Sequence, residues 1–218
     1  MKSVSINIAT RNRNVLLKHS LDSIFRQKEA SPKMLANLEV IVVDQGSADG
    51  TKEMIEQIFP EVVYKYLDEP SYGSPWRPFN MAMDLTTNEV IIQQNAECFH
   101  RSETVIKDLE KAVSHKKAVF ATVLNIEVNG NPYGVPDEEI KRRMGEGIPA
   151  VQRYSGKYRQ VSWFFCGAIL TQDLRDLGGY TPHSLPNDVS LENKMKQAGF
   201  EFEWLEKPIV IHQSHDKK

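Results

Sequence analysis

Cysteine is scarce in this chain: Cys98 and Cys166 are the only two among 218 residues. Two cysteines cannot build a disulfide framework, and they read as reduced, partly buried thiols of a cytoplasmic protein. Long hydrophobic runs are missing too. The longest near-apolar stretch, residues 161–170, falls well short of the roughly 20 residues a membrane helix needs. The alternating run at 4–9 is interrupted by Arg11 and Arg13 and is too short and polar for a signal-peptide core. The expectation is a soluble, cytoplasmic protein with no integral membrane segment. Charge of one sign is absent as well: 27 basic and 29 acidic residues leave a net charge of -2. No basic excess points to nucleic acid. Glycine-rich phosphate loops are the last absence. The first predicted strand is not followed by G-x-G-x-x-G, and G-x-x-x-x-G-K-[ST] occurs nowhere. Without that loop no backbone cradle receives a pyrophosphate at a helix N-terminus. A diphosphate bound here must be neutralised by a metal ion or by side-chain cations.

What is present is alternation of strand and helix patterns. Val4, Ile6 and Ile8 alternate with polar residues, and Leu16, Leu17, Leu21, Ile24 and Phe25 then recur at helical spacing. A β-branched run at 38–43, of the kind buried on both faces of a parallel sheet, ends in the turn cluster 44–51. Strands are predicted over 62–66, 89–93 and 118–126, and helices over 54–58, 78–85 and 104–113. Residues 129–160 are rich in glycine and proline, and read either as a solvated loop with one short helix or as a flap over a site. A strand at 161–170, a turn at Gly178 and Gly179, a helix after Asn187 and two short strands ending at Ile211 close the chain. Repeated β-α-β units imply one domain built on a mostly parallel sheet with helices on both faces.

Ligands of open α/β sheets bind beyond the carboxyl ends of the strands. Three predicted strands stop in polar clusters: Thr10-Arg11-Asn12-Arg13, Asp44-Gln45-Gly46-Ser47 and Gln94-Asn95-Ala96-Glu97. Three such clusters on one sheet mark a binding edge. A fourth apolar run, 208–211, stops at His212 and His215. By itself, Glu97-Cys98-Phe99-His100 also reads as an exposed turn.

The order Thr-x-Asn-Arg, then Val-Val-Asp-Gln-Gly-Ser-Ala-Asp-Gly-Thr, then Arg-Pro-Phe-Asn-Met-Ala resembles the family 2 glycosyltransferases of the GT-A fold. Gly167-Ala168-Ile169-Leu170, Leu177-Gly178-Gly179-Tyr180 and Asn187-Asp188-Val189-Ser190-Leu191 are similar to that family's second half. The resemblance covers about residues 3–215. It implies a Rossmann-like three-layer α/β/α sandwich with a mostly parallel central sheet. Residues 1–100 would form the nucleotide-sugar-binding half and residues 101–218 the acceptor-binding half.

The resemblance also implies roles. Thr10, Arg11, Asp44, Gln45, Arg77 and Asn95 would bind the nucleotide, with Arg77 matching phosphate oxygens through its forked guanidinium. Gln45 stands where the family usually has Asp. Its amide can accept from uracil or donate to cytosine, so the base stays open and a UDP-sugar rests on family habit. The family's Asp-x-Asp metal motif is here Asn95-Ala96-Glu97. Glu97 and His212 become the metal ligands, a mixed oxygen and nitrogen set that favours Mn²⁺ over Mg²⁺. Asp188 becomes the general base of an inverting displacement at the anomeric carbon. Trp163, Gly167, Asn187 and His215 are acceptor-side candidates. The partners implied are a nucleotide-sugar donor and a glycan or other hydroxyl-bearing acceptor. A sugar-phosphate nucleotidyltransferase and a non-catalytic nucleotide-sugar-binding module are the competing readings.

Overall fold

Position in the sheet, more than local pattern, decides how each strand is buried. A computed structural model describes residues 2–32, 36–68, 75–128, 130–145, 165–183 and 187–214. Within these, eight strands form one sheet: β1 (Val4–Thr10), β2 (Glu39–Asp44), β3 (Val63–Tyr66), β4 (Val90–Asn95), β5 (Cys98–His100), β6 (Lys117–Glu127), β7 (Cys166–Leu170) and β8 (Glu201–Ser214). Their order is β3-β2-β1-β4-β7-β6-β8-β5. Strands β1 to β4, β6 and β8 run in one direction, and β5 and β7 run against them. The mostly parallel sheet expected from the sequence is what forms.

The helices are α1 (Asn14–Ala30), α2 (Thr51–Ile58), α3 (Trp76–Leu85), α4 (Val105–Ala112), α5 (Asp137–Gly145), α6 (Thr171–Asp176) and α7 (Asn187–Gln197). Val40 and Val42 of β2 face the core that holds Leu17, Leu21 and Ile24 of α1 and Ile55 of α2. Ile41 and Val43, one residue out of phase, pack instead on Ala82 of α3. Period-two geometry thus covers both faces of β2 and makes three layers. Each fully buried Leu or Ile contributes roughly 1.5–3 kcal/mol against exposure.

The polar residues that alternate along β1 are buried too: Ser5 and Asn7 are fully enclosed where β1 lies between β2 and β4. Each is hydrogen-bonded: Ser5 Oγ donates to Glu39 at 2.5 Å, and Asn7 Nδ2 donates to Thr86 Oγ1 at 3.1 Å. Burial of polar groups is tolerated when partners replace water. Next, Cys98, Phe99 and His100 are no exposed turn. They form β5, buried and paired antiparallel with β8. Last, the two short closing strands are one strand, β8, whose pairing with β6 shifts register between Phe120 and Thr122.

The charged run after residue 136 is helical. Ile140 buries against Leu124, Ile126 and Ile211 while Glu139 pairs with Arg142 and Arg143 on the wet face. This docked segment is the short helix foreseen in the irregular region. Residues 129 and 146–160, which carry the rest of the flap reading, lie outside the described residues, as do Trp163 and His215.

Candidate active site

Chain order reverses at β1: β2 and β3 lie on one side of it and β4 on the other. The crevice of such a fold opens beyond the carboxyl ends of the strands flanking the reversal. Thr10 ends β1 and Asn95 ends β4, and the register pairs Ala9 with Asn95 and Thr10 with Asp44. The first three polar clusters therefore meet at one edge. The carboxyl end of β8 joins them, with His212 opposite Cys98 and the Gln213 N–H donating to the Glu97 carbonyl at 3.0 Å.

The loops at this edge are stitched together. Asn12, in a left-handed conformation at φ 50°, donates its backbone N–H to Ser47 Oγ at 2.8 Å, and its Oδ1 accepts from Ala48 N–H at 2.9 Å. Asp49 Oδ2 accepts from the Asn14 N–H at 2.9 Å at the start of α1, and its Oδ1 accepts from Thr51 Oγ1 at 2.6 Å. Much of the Asp-x-Gly-Ser-x-Asp-Gly-Thr stretch is thus structural, tying the β2–α2 turn to the β1–α1 loop. Asp44 is fully buried; its Oδ1 accepts from Ser47 N–H and its Oδ2 from the Tyr64 hydroxyl, both at 2.9 Å. Burial and this bond push the Tyr64 hydroxyl far above its ordinary pKa, so it stays a donor. Gln45 donates its backbone N–H to the Thr10 carbonyl at 2.9 Å. Thr10 itself is buried, and its Oγ1 has no hydrogen-bond partner among the described residues. An orphaned hydroxyl is costly to bury and is expected where a ligand supplies the missing partner.

Two helices bring further residues to the same edge. α3 precedes β4 and α7 precedes β8, so both run against the strands they feed and begin at the strands' carboxyl side. Arg77 lies in the first turn of α3, and Asn187 and Asp188 open α7. Asp188 Oδ1 accepts from the Val189 N–H at 2.9 Å. Among the described residues no hydrogen bond or ion pair joins Asp188 to Glu97; shared position at one sheet edge is what relates them. Gly167 lies deeper, buried in β7 between Gln93 and Phe120.

Asn80 was not singled out from the sequence, yet it positions this corner. Its Oδ1 accepts from the Tyr180 N–H at 2.7 Å and its Nδ2 donates to the Tyr180 carbonyl at 2.9 Å. Gly179, at φ +60°, is required there, since a Cβ would lie 2.5 Å from Asn80 Oδ1. Lys194 of α7 donates to the Gly179 carbonyl at 2.9 Å. Two motifs quoted separately, Arg-Pro-Phe-Asn and Leu-Gly-Gly-Tyr, are therefore halves of one clamp that carries α7 and Asp188. Gln213 was also missed: it is fully buried and its Nε2 donates to the carbonyls of Leu16 and Glu97 at 3.3 and 3.1 Å.

Do the proposed metal ligands suit a divalent cation? Glu97 Oε1 accepts from Arg13 Nε at 2.7 Å, in a pair whose carboxylate side is only 14% exposed. His212 holds its Nδ1 3.2 Å from Asn125 Oδ1 and its ring edge-on to Phe165. Among the described residues no three His, Cys, Asp or Glu side chains converge. One carboxylate already matched to a guanidinium, one imidazole and the neutral Asn95 amide are a poor donor set for a hard dication. Unit charges 4 Å apart repel by roughly 1–4 kcal/mol near a surface, so a cation beside Glu97 would oppose Arg13. The described residues do not fit the metal as the resemblance assigns it.

The comparisons agree with the architecture. The model of glycosyl transferase family 2 matches residues 5–173. Comparison with curated protein sequences finds no match. Among solved structures, the chain is similar to the mannosyltransferase PcManGT from Pyrobaculum calidifontis, in complex with GDP-Man and Mn²⁺, at TM-score 0.67 and 17% identity, covering 99% of this chain and 58% of that one. It is also similar to S. aureus TarS 1-349 in complex with UDP-GlcNAc, at TM-score 0.68 and 17% identity, covering 99% of this chain and 60% of that one. The chain spans less than two thirds of either structure, and at these identities the likeness speaks for the fold. No helix among the described residues is long and apolar enough to cross a membrane. With the family model matching well over half its length and the GT-A architecture formed around the same motifs, the chain belongs to glycosyl transferase family 2.

Proposed function

We propose that the chain transfers a glycosyl group from a nucleoside-diphosphate sugar to an acceptor hydroxyl, with inversion at the anomeric carbon. The observation that carries this reading is convergence. The ends of β1, β2, β4 and β8 and the starts of α3 and α7 meet at the edge where chain order reverses, and Thr10, which ends β1, has a buried hydroxyl with no partner among the described residues.

In this reading Thr10, Asp44 and Gln45 line the base and ribose pocket, Arg77 contacts the phosphates, and Arg11 and Asn95 belong to the same nucleotide site. The donor is a UDP-sugar by family habit; the similar structures hold GDP-Man in one case and UDP-GlcNAc in the other. Manganese at Glu97 and His212 is what the resemblance implies, and Mn²⁺ is present in the Pyrobaculum complex. Since the donor set does not fit it, no step is assigned to the ion.

The chemistry is a single displacement. Asp188 takes the proton from the acceptor hydroxyl, the acceptor oxygen bonds to the anomeric carbon, and the bond from that carbon to the diphosphate breaks with its electron pair leaving on phosphate. Attack opposite the leaving group inverts the centre. A general base of this kind contributes about 10²–10⁴ in rate. The start of a helix suits an ionised carboxylate, because local N–H groups favour negative charge.

The test combines a donor panel with one variant. UDP-, GDP- and dTDP-sugars are screened by thermal shift, since a selective ligand stabilises the folded state. The best donor is then assayed for transfer with wild type and Asp188→Asn. Transfer should fall by about 10²–10⁴ with donor affinity kept. An Asp188→Asn enzyme as active as wild type removes the assigned base.

A further inference from the structure

We propose that the exposed ring of Tyr66 is the stacking face for the nucleobase of the donor. The inference rests on the nucleotide-sugar reading above and assigns a contact that the motifs quoted from the sequence leave unassigned. Tyr66 is the last residue of β3, and the register sets it opposite Asp44, which is itself opposite Thr10. Thr10, Asp44 and Tyr66 thus end three adjacent strands in one row at the same sheet edge. Side chains paired across parallel strands share a face, and Tyr64, two residues earlier on that face, already reaches Asp44 with its hydroxyl. Tyr66 continues the face at the end of the sheet, where it is 46% exposed. Val63 is exposed as well, but it lies on the other face of β3 and builds no apolar patch with Tyr66.

The ring stands beside the turn that carries Gln45. A Cβ built at Gly46 would lie 3.9 Å from the Tyr66 hydroxyl oxygen and 3.7 Å from the Leu67 carbonyl oxygen. Gly46 has φ +80°, and its missing side chain keeps that flank of the tyrosine clear. The strand end beneath is anchored, since the Leu67 N–H donates to the Asp44 carbonyl at 2.8 Å. A tyrosine has two side-chain torsions, so little freedom is lost when a ligand settles on it. The polar clusters that end β1, β2 and β4 contain charged and hydrogen-bonding groups but no aromatic ring. Such groups can read the edge of a base and offer nothing to its faces, which aromatic side chains cover. Neighbouring strands lie about 4.8 Å apart, which sets β3 about 10 Å from β1. A base on Tyr66 leaves the ribose over the end of β2 and directs the diphosphate towards the crevice at the reversal of chain order.

The experiment is calorimetric titration of wild type, Tyr66→Ala and Tyr66→Phe with UDP, GDP, CDP and dTDP in buffer containing Mn²⁺. One of these diphosphates should bind the wild-type chain. Tyr66→Ala should weaken it about fivefold to a hundredfold, the loss that follows removal of a stacking ring, while Tyr66→Phe binds as wild type. With the matching sugar donor, Tyr66→Ala should raise KM by a similar factor and keep kcat, because the base is held alike in the ground and transition states. Unchanged affinity in Tyr66→Ala overturns the inference. So does an equal loss in Tyr66→Phe, which makes the hydroxyl and not the ring face the contact. If the alanine variant folds poorly, proton NMR of the wild type decides: the diphosphate should shift the Tyr66 ring resonances, and a ring that does not respond overturns the inference. A wild-type chain that binds none of the four diphosphates is a failure of the nucleotide-sugar reading itself, recognisable without any variant, and the inference falls with it.

Discussion

His100 should make folding stability fall steeply below neutral pH. The side chain is 2% exposed at the end of β5, inside a polar network shared with α1 and β4. Gln27 spends its Oε1 on the Ile106 N–H at 3.1 Å, so its Nε2 faces His100 Nδ1 at 2.7 Å as a donor. His100 Nδ1 must then accept, and Nε2–H donates to Gln94 Oε1 at 2.7 Å. Protonation would set two donors against each other at Nδ1. Burial, with a smaller contribution from the Arg26 charge, pushes the imidazole from 6.5 down to about 3. The folded pKa is depressed, so the unfolded chain takes up a proton below 6.5 and the folded chain does not. Stability from this group is therefore complete above pH 6.5 and lost as pH falls towards 3. Linkage at about 1.4 kcal/mol per pH unit gives a loss of about 2 kcal/mol between pH 7 and pH 5, and roughly 5 kcal/mol over the whole window.

Urea unfolding followed by tryptophan fluorescence measures this directly. His100→Gln cannot be protonated, so the stability difference between wild type and variant should change by about 2 kcal/mol from pH 7 to pH 5. Other titrating groups cancel in that difference. Parallel curves for the two proteins would refute the reasoning. If the variant folds poorly, nitrogen NMR of the wild-type imidazole serves instead: a ring that titrates near 6.5 ends the argument.

Two further outcomes are expected. Gly179→Ala should cost about 2–4 kcal/mol in thermal or urea unfolding, adding left-handed strain to a clash with Asn80 and Met83. Donor affinity measured on the folded fraction should change less than the transfer rate, because the clamp carries α7 and its Asp188. Cys98 and Cys166 are both free and buried; burial pushes Cys166 up to about 12 and Cys98 well above the ordinary thiol value. Neither should react with a thiol reagent at neutral pH until denaturant is added, and rapid labelling of the native chain would contradict the described packing.

Local pattern fixed much of this protein. The β-branched run ending at Asp44 is a strand buried on both faces, and the helical spacing after Asn14 is the α1 face that carries Leu17, Leu21 and Ile24. These elements were legible because periods of 2 and 3.6 residues persist long enough to be counted. The polar strand ends were legible for the same reason, each standing where an apolar run stops. Tertiary structure decided the rest. β5 has three residues, too few for a period, and its burial comes from pairing with β8 more than a hundred positions away. Asn80 and Tyr180 are 100 residues apart and show their clamp only when α3 and the turn before α7 touch. The Arg13–Glu97 pair is of this kind too: each side chain reads as a separate strand-end charge, and only the sheet order that sets β1 beside β4 turns them into one ion pair.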